Sequence, residues 1–233
     1  MTTVTERHTP RETAMQRLGR HTVEFFAALM RVFVLAGILS IVIAAAFLTV
    51  DLPFRAFDRF FGGAEAVRPS NWLTVGGLLM GAGPLIGILF TRKFGGEEGN
   101  RAVTAAWALA AFAVFAELSY LAPMLEEGDF PSIRFVVGFV AGAMAGQYVA
   151  VGVYDVARGG GAWWRAPLFG AIGGYFIQDA FYFPYVYWGA GVPWVNWMVT
   201  DFAIRLGLAI VFFLPVYAML RKTLRPKGGY GGR

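Results

Sequence analysis

The chain carries six apolar runs of about twenty residues or more, too many for one soluble core to hide. A bilayer hydrocarbon core about 30 Å thick takes roughly 20 helical residues per crossing. The runs extend from Phe25 to Val50, Trp72 to Thr91, Val103 to Met124, Ile133 to Val156, Leu168 to Trp188 and Trp197 to Leu220. Lipid offers the backbone no hydrogen-bond partner, and the runs are too long and too unalternating for barrel strands, so helices are the form that satisfies them. The predicted fold is an all-α integral membrane protein, a six-transmembrane-helix bundle. Composition points the same way, with 57% hydrophobic residues and only 15% charged, where a soluble domain has about a quarter charged. A soluble enzyme is disfavoured on that ground.

The distribution of Lys and Arg orients the bundle. Fourteen of the twenty lie in residues 1–24, 92–102, 157–167 and after Leu220, against four in 51–71, 125–134 and 189–196, with Arg31 and Arg205 inside spans. Basic loops stay in the cytoplasm, which predicts N-in, C-in. Two basic ends on one side also require an even number of spans, in agreement with six. The chain divides into a cytoplasmic segment 1–24 without a cleavable signal, a transmembrane domain 25–220, and a cytoplasmic tail 221–233 expected to be disordered at RPKGGYGGR. The net charge of +5 therefore sits in loops facing a lipid bilayer and does not call for nucleic acid as a partner. The connection 51–71 sets Leu52, Phe54, Phe57, Phe60 and Phe61 among Arg55, Asp58 and Arg59, a pattern that predicts an interfacial amphipathic helix, with a partly ordered loop as the alternative. Trp163 and Trp164 read as headgroup-level belt residues.

Chemistry is bounded by what is missing. There is no cysteine, and His8 and His21 both lie in the polar N-terminal segment. Disulfides, thiolate metal sites and histidine-ligated haem inside the membrane are thereby excluded. No phosphate-binding loop, nucleophile elbow or paired catalytic carboxylates appear, so the sequence predicts no enzyme, no catalytic residue, no metal and no cofactor.

Ionisable groups inside spans are costly and mark function or interhelical contact. Arg31 can snorkel; Glu117 needs a partner or the outer headgroups; Asp155 is placed to pair with Arg158. Gln178 and Asp179 sit mid-span in the fifth run, ahead of Pro184, where an amide and a carboxylate must find polar company. Tyr175 and Tyr182 share their helical face at offsets of three, four and seven. Asp201 and Arg205 are spaced i,i+4, one above the other, as an ion pair or a ligand contact. Gly138, Gly142 and Gly146 make a small-residue stripe for close packing, and Gln147 at its end is either interhelical glue or a handle for a ligand.

From the fourth span onward the sequence resembles the queuosine-precursor transporter family (the vitamin uptake transporters), small six-helix proteins of the bacterial inner membrane. The resemblance lies in GQYVAVGVYDVARGGGAWWRAP at 146–167, the aromatic helix ending in YW at 187–188, and DFAIRLGLAIVFFLPVY at 201–217, with a weaker match in PLIGILFTRKFGG at 84–96. Gln147, Trp163, Trp164, Pro167, Asp201 and Pro215 match the family pattern, and Arg205 stands where the family has lysine. The clear resemblance covers about 75 residues. The chain departs from the family's acidic positions at Ala150, at Gln178 (with Asp179 one residue on) and near Ile88.

The resemblance implies a multi-pass inner-membrane importer of a small flat nitrogen heterocycle, a 7-deazaguanine queuosine precursor above all. Together with the buried polar groups and shared helical face above, it gives as expected substrate-binding residues Gln147, Tyr175, Gln178, Asp179, Tyr182, Asp201 and Arg205, placed between spans 4, 5 and 6 near the bilayer midplane. Likeness to the binding subunits of energy-coupling-factor importers adds an ATPase energy-coupling module as partner, or else a homo-oligomer. The competing expectation is a non-transporting accessory or assembly subunit, in which these polar residues only hold helices together.

Overall fold

The computed structural model describes residues 13–60, 65–124 and 131–224. The tail 225–233, expected to be disordered, and Phe61 of the amphipathic pattern lie outside the described residues. Among the described residues the chain is all-helical, apart from one isolated bridge between Pro53 and Thr74. Helix α1 (Ala14–Leu48) is followed by three short 3₁₀ turns, then by α2 (Val75–Phe94), α3 (Gly96–Leu121), α4 (Ile133–Ala157), α5 (Arg165–Tyr187), α6 (Trp194–Leu208), a π-helical turn (Ala209–Phe213) and α7 (Leu214–Leu220). The last three run on as one rod, Trp194–Leu220.

Five of these helices are long and apolar enough to cross a membrane: α1, α2, α3 with its terminal turn, α4, and the rod Trp194–Leu220. Helix α5 has the length, at 23 residues, but Arg165, Gln178, Asp179 and four tyrosines dilute its apolar character. The protein is a helical multi-pass membrane protein.

The helix ends follow ordinary capping chemistry. Thr13 caps α1 in a reciprocal capping box with Gln16, so the helix starts well before the apolar run does at Phe25. Thr74 caps α2 and Ser132 caps α4, each through a side-chain oxygen that accepts a backbone N–H. Between α2 and α3 the chain turns on Gly95 alone, at φ +98°, a conformation that excludes nearly every other residue.

The connection 51–71 departs from the expected amphipathic helix. Its described residues form 3₁₀ turns at Asp58–Phe60, Glu65–Val67 and Pro69–Asn71. Backbone bonds from Phe54 N–H to Leu73 and from Val75 N–H to Leu52 pull the segment back over the start of α2. Asp58 ties it across twelve residues by accepting the Ser70 amide at 3.0 Å. Those long-range bonds compete with a continuous helix and win.

Packing sets two seams. Leu35, Leu39, Ile43 and Ala46 form a stripe on α1, at helical spacing, that meets Met80, Val103, Ala106 and Trp107 of α2 and α3. Helices α4 and α5 form the closest pair. A Cβ added at Gly146 would stand 2.6 Å from the Gly174 carbonyl oxygen, and one at Gly142 would stand 3.0 Å from that of Gln178, so the glycine stripe lets the backbones touch. Pro53, Thr74, the start of α4 and the end of α5 gather at one end of the bundle. The basic segments around 92–102 and 158–165 gather at the other.

Candidate functional site

The site grows from one helical turn. Residues four apart on α6 face the same way, and there Arg205 Nε donates to Asp201 Oδ2 at 2.6 Å. Asp179, facing them from α5, sets Oδ1 3.9 Å from the same nitrogen, an ion-pair distance too long for a hydrogen bond. All three are buried, Asp201 at 1%, Asp179 at 2% and Arg205 at 6% exposure. One guanidinium therefore serves two carboxylates in an apolar interior, which leaves one negative charge uncompensated when both are ionised.

The hydrogen-bond inventory sharpens the imbalance. With both carboxylates ionised, Asp179 Oδ1 and Oδ2, Asp201 Oδ1, Gln178 Oε1 and Arg205 Nη1 have no partner among the described residues. Four of these five are acceptors. A buried polar group without a partner costs about 1–3 kcal/mol, so the cluster is held in place by its surroundings rather than by its own bonds.

Two cavities meet at Arg205. The polar one, of about 100 Å³, is lined by Gln178, Tyr182, Tyr187, Asp201 and Arg205 and roofed by Asn71, Trp72, Leu73 and Thr74. The second, of about 400 Å³, is almost wholly apolar and lies between α2 and the α6–α7 rod. Leu78, Leu85, Leu208 and Phe213 line it, and Phe212 and Val216 bound it on the outer face of the bundle. Tyr175 also reaches it, and its hydroxyl donates to the Gly81 carbonyl oxygen at 2.9 Å. Gly81 has room for the guanidinium beside it: a Cβ there would stand 3.4 Å from Arg205 Nη1.

Six of the seven expected site residues thus converge: Tyr175, Gln178, Asp179, Tyr182, Asp201 and Arg205. They do so by diverging around α5, with Gln178 and Tyr182 on the polar cavity, Tyr175 toward α2 and Asp179 toward α6, where it reaches Arg205 but lines neither of these cavities, bordering instead a separate apolar one with Phe176, Met198 and Phe202. Gln147 stands elsewhere. It is fully buried, accepts from Trp107 Nε1 at 2.9 Å, packs on Gly83 and lines neither cavity, so its contacts are those of an interhelical bond between α4 and α3. The cavity also extends from mid-α5 toward the 69–74 roof rather than staying at the level of Gln178 and Asp179.

The expected Asp155–Arg158 pair is present at 2.8 Å, and Asp155 also accepts the Gly96 amide at 3.1 Å. Glu117 is exposed on α3. Arg31 lies over the Phe94 ring at 5.5 Å.

Sequence reasoning missed the contribution of α2 and its roof. Asn71, Trp72 and Tyr187 line the polar cavity, and α2 enters through a backbone carbonyl at Gly81. A search for polar side chains within spans passes over all of these. Outside the helices, the Ser70 side chain and amide hydrogen-bond Asp58 and hold its carboxyl below the ordinary 3.8.

Compared with known proteins, the chain matches no family model, no curated protein and no solved structure.

Proposed function

We propose that the chain is a six-span carrier of a bacterial inner membrane, with both termini in the cytoplasm, that imports a small flat nitrogen heterocycle of the 7-deazaguanine class. The observation that carries this reading is the surplus of buried acceptors at Asp179, Asp201 and Gln178 around a single guanidinium. An amino-substituted heterocycle offers several N–H donors in one plane, and such donors supply what those oxygens lack. Tyr182, set edge-to-face against Phe183 at 5.1 Å and Tyr187 at 5.9 Å, with Phe183 tilted against Tyr187 at 5.9 Å, gives a flat ring aromatic walls. The sixth span is α5, whose polar face is turned inward. Fourteen basic residues against four support the orientation. The sequence resemblance to queuosine-precursor transporters supports the same substrate class, and an ATPase module or a second copy of the chain is the partner it suggests.

The test is binding by the purified protein. A 7-deazaguanine base should raise its thermal midpoint in proportion to the logarithm of concentration once above Kd. Asp179→Asn keeps the shape and removes the charge, so it should weaken binding about tenfold to hundredfold, the worth of a hydrogen bond to a charged group. Unchanged affinity in that variant would falsify the role given to Asp179. Reporter fusions that place either terminus outside the cell would overturn the orientation.

A second reading, a non-transporting accessory subunit, draws on the small size of the polar cavity and on the Asp201–Arg205 pair already closed within one helix. Absence of any stabilisation across deazapurines, purines and pterins would favour it.

A further inference from the structure

At the basic end of the bundle a separate pocket of about 200 Å³ lies among the ends of α2, α4 and α7. Arg92 from the last turn of α2, Arg158 at the end of α4 and Arg221 at the end of α7 line it, together with Gly159, Gly160, Gly161, Trp163 and Tyr217. Arg158 is the most enclosed, its side chain only 4% exposed.

The carboxylate supply is short. Asp155 is shared between Arg158 and the Gly96 amide. Among the described residues no carboxylate lies within ion-pair distance of Arg92 or Arg221. Arg92 instead spends Nη1 on the Tyr217 hydroxyl at 3.0 Å and Nη2 on the Arg221 carbonyl oxygen at 2.8 Å, and its buried Nε has no partner among the described residues. The Arg221 guanidinium rests 5.1 Å over the Trp163 ring, which itself stacks on Tyr217. Each helix C-terminus brings roughly half a negative charge, yet three guanidiniums against three such ends and Asp155 still sum positive.

We infer that this pocket is a binding site for a phosphate-bearing anion, held by Arg92, Arg158 and Arg221. Arginine presents planar paired donors that match phosphate oxygens, and basic pockets between membrane helices take lipid headgroups in the same way. The volume equals roughly six or seven waters, enough for a phosphate group and its ester linkage but below the usual 300–1,000 Å³ of a whole drug-sized ligand. Gly159, Gly160 and Gly161 add no side chains to its lining, and Trp163, about two-fifths exposed, lines it as a residue of the interfacial aromatic belt. The phosphate comes either from an anionic lipid headgroup or from a soluble phosphate, and the two are separable.

The purified full-length chain in detergent is titrated with short-chain phosphatidylglycerol, with phosphatidylcholine and with inorganic phosphate, read by thermal midpoint and by native mass spectrometry. Stabilisation by phosphatidylglycerol alone assigns the site to a lipid headgroup. Equal stabilisation by inorganic phosphate assigns it to a soluble anion. Arg92→Gln with Arg221→Gln should lower affinity at least about tenfold. Arg221→Gln alone, which leaves the helix ends bonded as before, should lower it by a smaller factor, and Arg101→Gln, exposed on α3 at the same end, should leave it unchanged. No stabilisation by any anion, or wild-type affinity in both Arg221 variants, overturns the site.

Discussion

The two halves of the bundle bury side chains to similar depths but treat polarity in opposite ways. On the α1–α3 side the core is Leu35, Leu39, Ile43, Met80, Val103 and Trp107, and the two polar side chains fully enclosed there find partners, Gln147 in Trp107 and Thr91 in the Gly87 carbonyl oxygen; Arg92, Glu98 and Asn100, toward the helix ends, each keep one buried atom without a partner among the described residues. On the α5–α6 side an equally buried cluster of two carboxylates, an amide and a guanidinium leaves five atoms without a partner among the described residues when both carboxylates are ionised. Apolar packing evidently suffices to hold helices of this chain together. On the proposed carrier reading, the bonds this cluster leaves open are the ones a ligand fills.

The sharpest way to break this contrast is Arg205→Met. It strands Asp201 and Asp179 in an apolar interior, and should cost about 3–5 kcal/mol of stability. Replacing Asp201 and Arg205 together by apolar residues leaves Asp179 alone, so recovery should require Asp179→Asn as well. A thermal midpoint for the triple variant no higher than for Arg205→Met would show that charge imbalance is not the cause. In the other half, Leu39→Ala should cost about 3 kcal/mol by opening a cavity, while ligand affinity measured on the folded fraction stays unchanged. Loss of binding there would dissolve the distinction between halves.

Smaller effects sharpen it. Gly146→Val forces α4 off α5 and should cost about 1–3 kcal/mol, whereas Gly37→Ala, with nothing near its added Cβ, should be neutral or slightly stabilising. Gln147→Leu removes one interhelical bond worth about 0.6 kcal/mol and should leave heterocycle binding intact, because its side chain is spent on Trp107 and Met80, away from Arg205. The mildest is a pH effect on the roof. The Asp58 carboxyl titrates below its unfolded value, so its bond to Ser70 supports the 51–71 segment above that value and fades as pH falls through the folded one. Ser70 amide exchange, measured relative to a core amide such as that of Leu39, should speed up on acidification below about pH 4. A ratio flat between pH 6 and pH 3 would remove Asp58 from that duty.

Helical membrane architecture could be read from run length alone, since twenty apolar residues in a row leave few alternatives. The convergence of Asp201, Arg205 and Asp179 was foreshadowed by spacing and by the cost of burying charge. What spacing could not convey was which face of α5 meets which neighbour: Asp179 and Gln178 are adjacent in sequence and serve different sides of the helix. Gln147 stayed between two readings for the same reason, because a buried amide looks alike whether it meets a ligand or, as here, Trp107. The 51–71 segment misled because hydrophobic periodicity ignores bonds such as Asp58 to Ser70, made between residues twelve apart. The basic pocket was divided among three helix ends far apart in the chain, and no local pattern joins Arg92 to Arg221.

The π turn at Ala209–Phe213 governs the angular phase of the rod that contains it. Buried residues there recur every fourth position, at Trp197, Asp201, Arg205, Ala209, Phe213 and Tyr217. An α-helix advances about 100° per residue, so a strict period of four drifts about 40° at each step, and from Arg205 to Tyr217 the bearing would slip by about 120°. A π turn takes up one residue without that rotation and brings the slip back to about 20°. Pro215, which has no N–H to offer Val211, sits just past the widened turn. Were those five residues to rewind as regular helix, Tyr217 and Arg221 would swing about 100° away from Arg92 while Arg205 kept its place, so the two polar ends of the rod share one angular reference set by apolar residues between them.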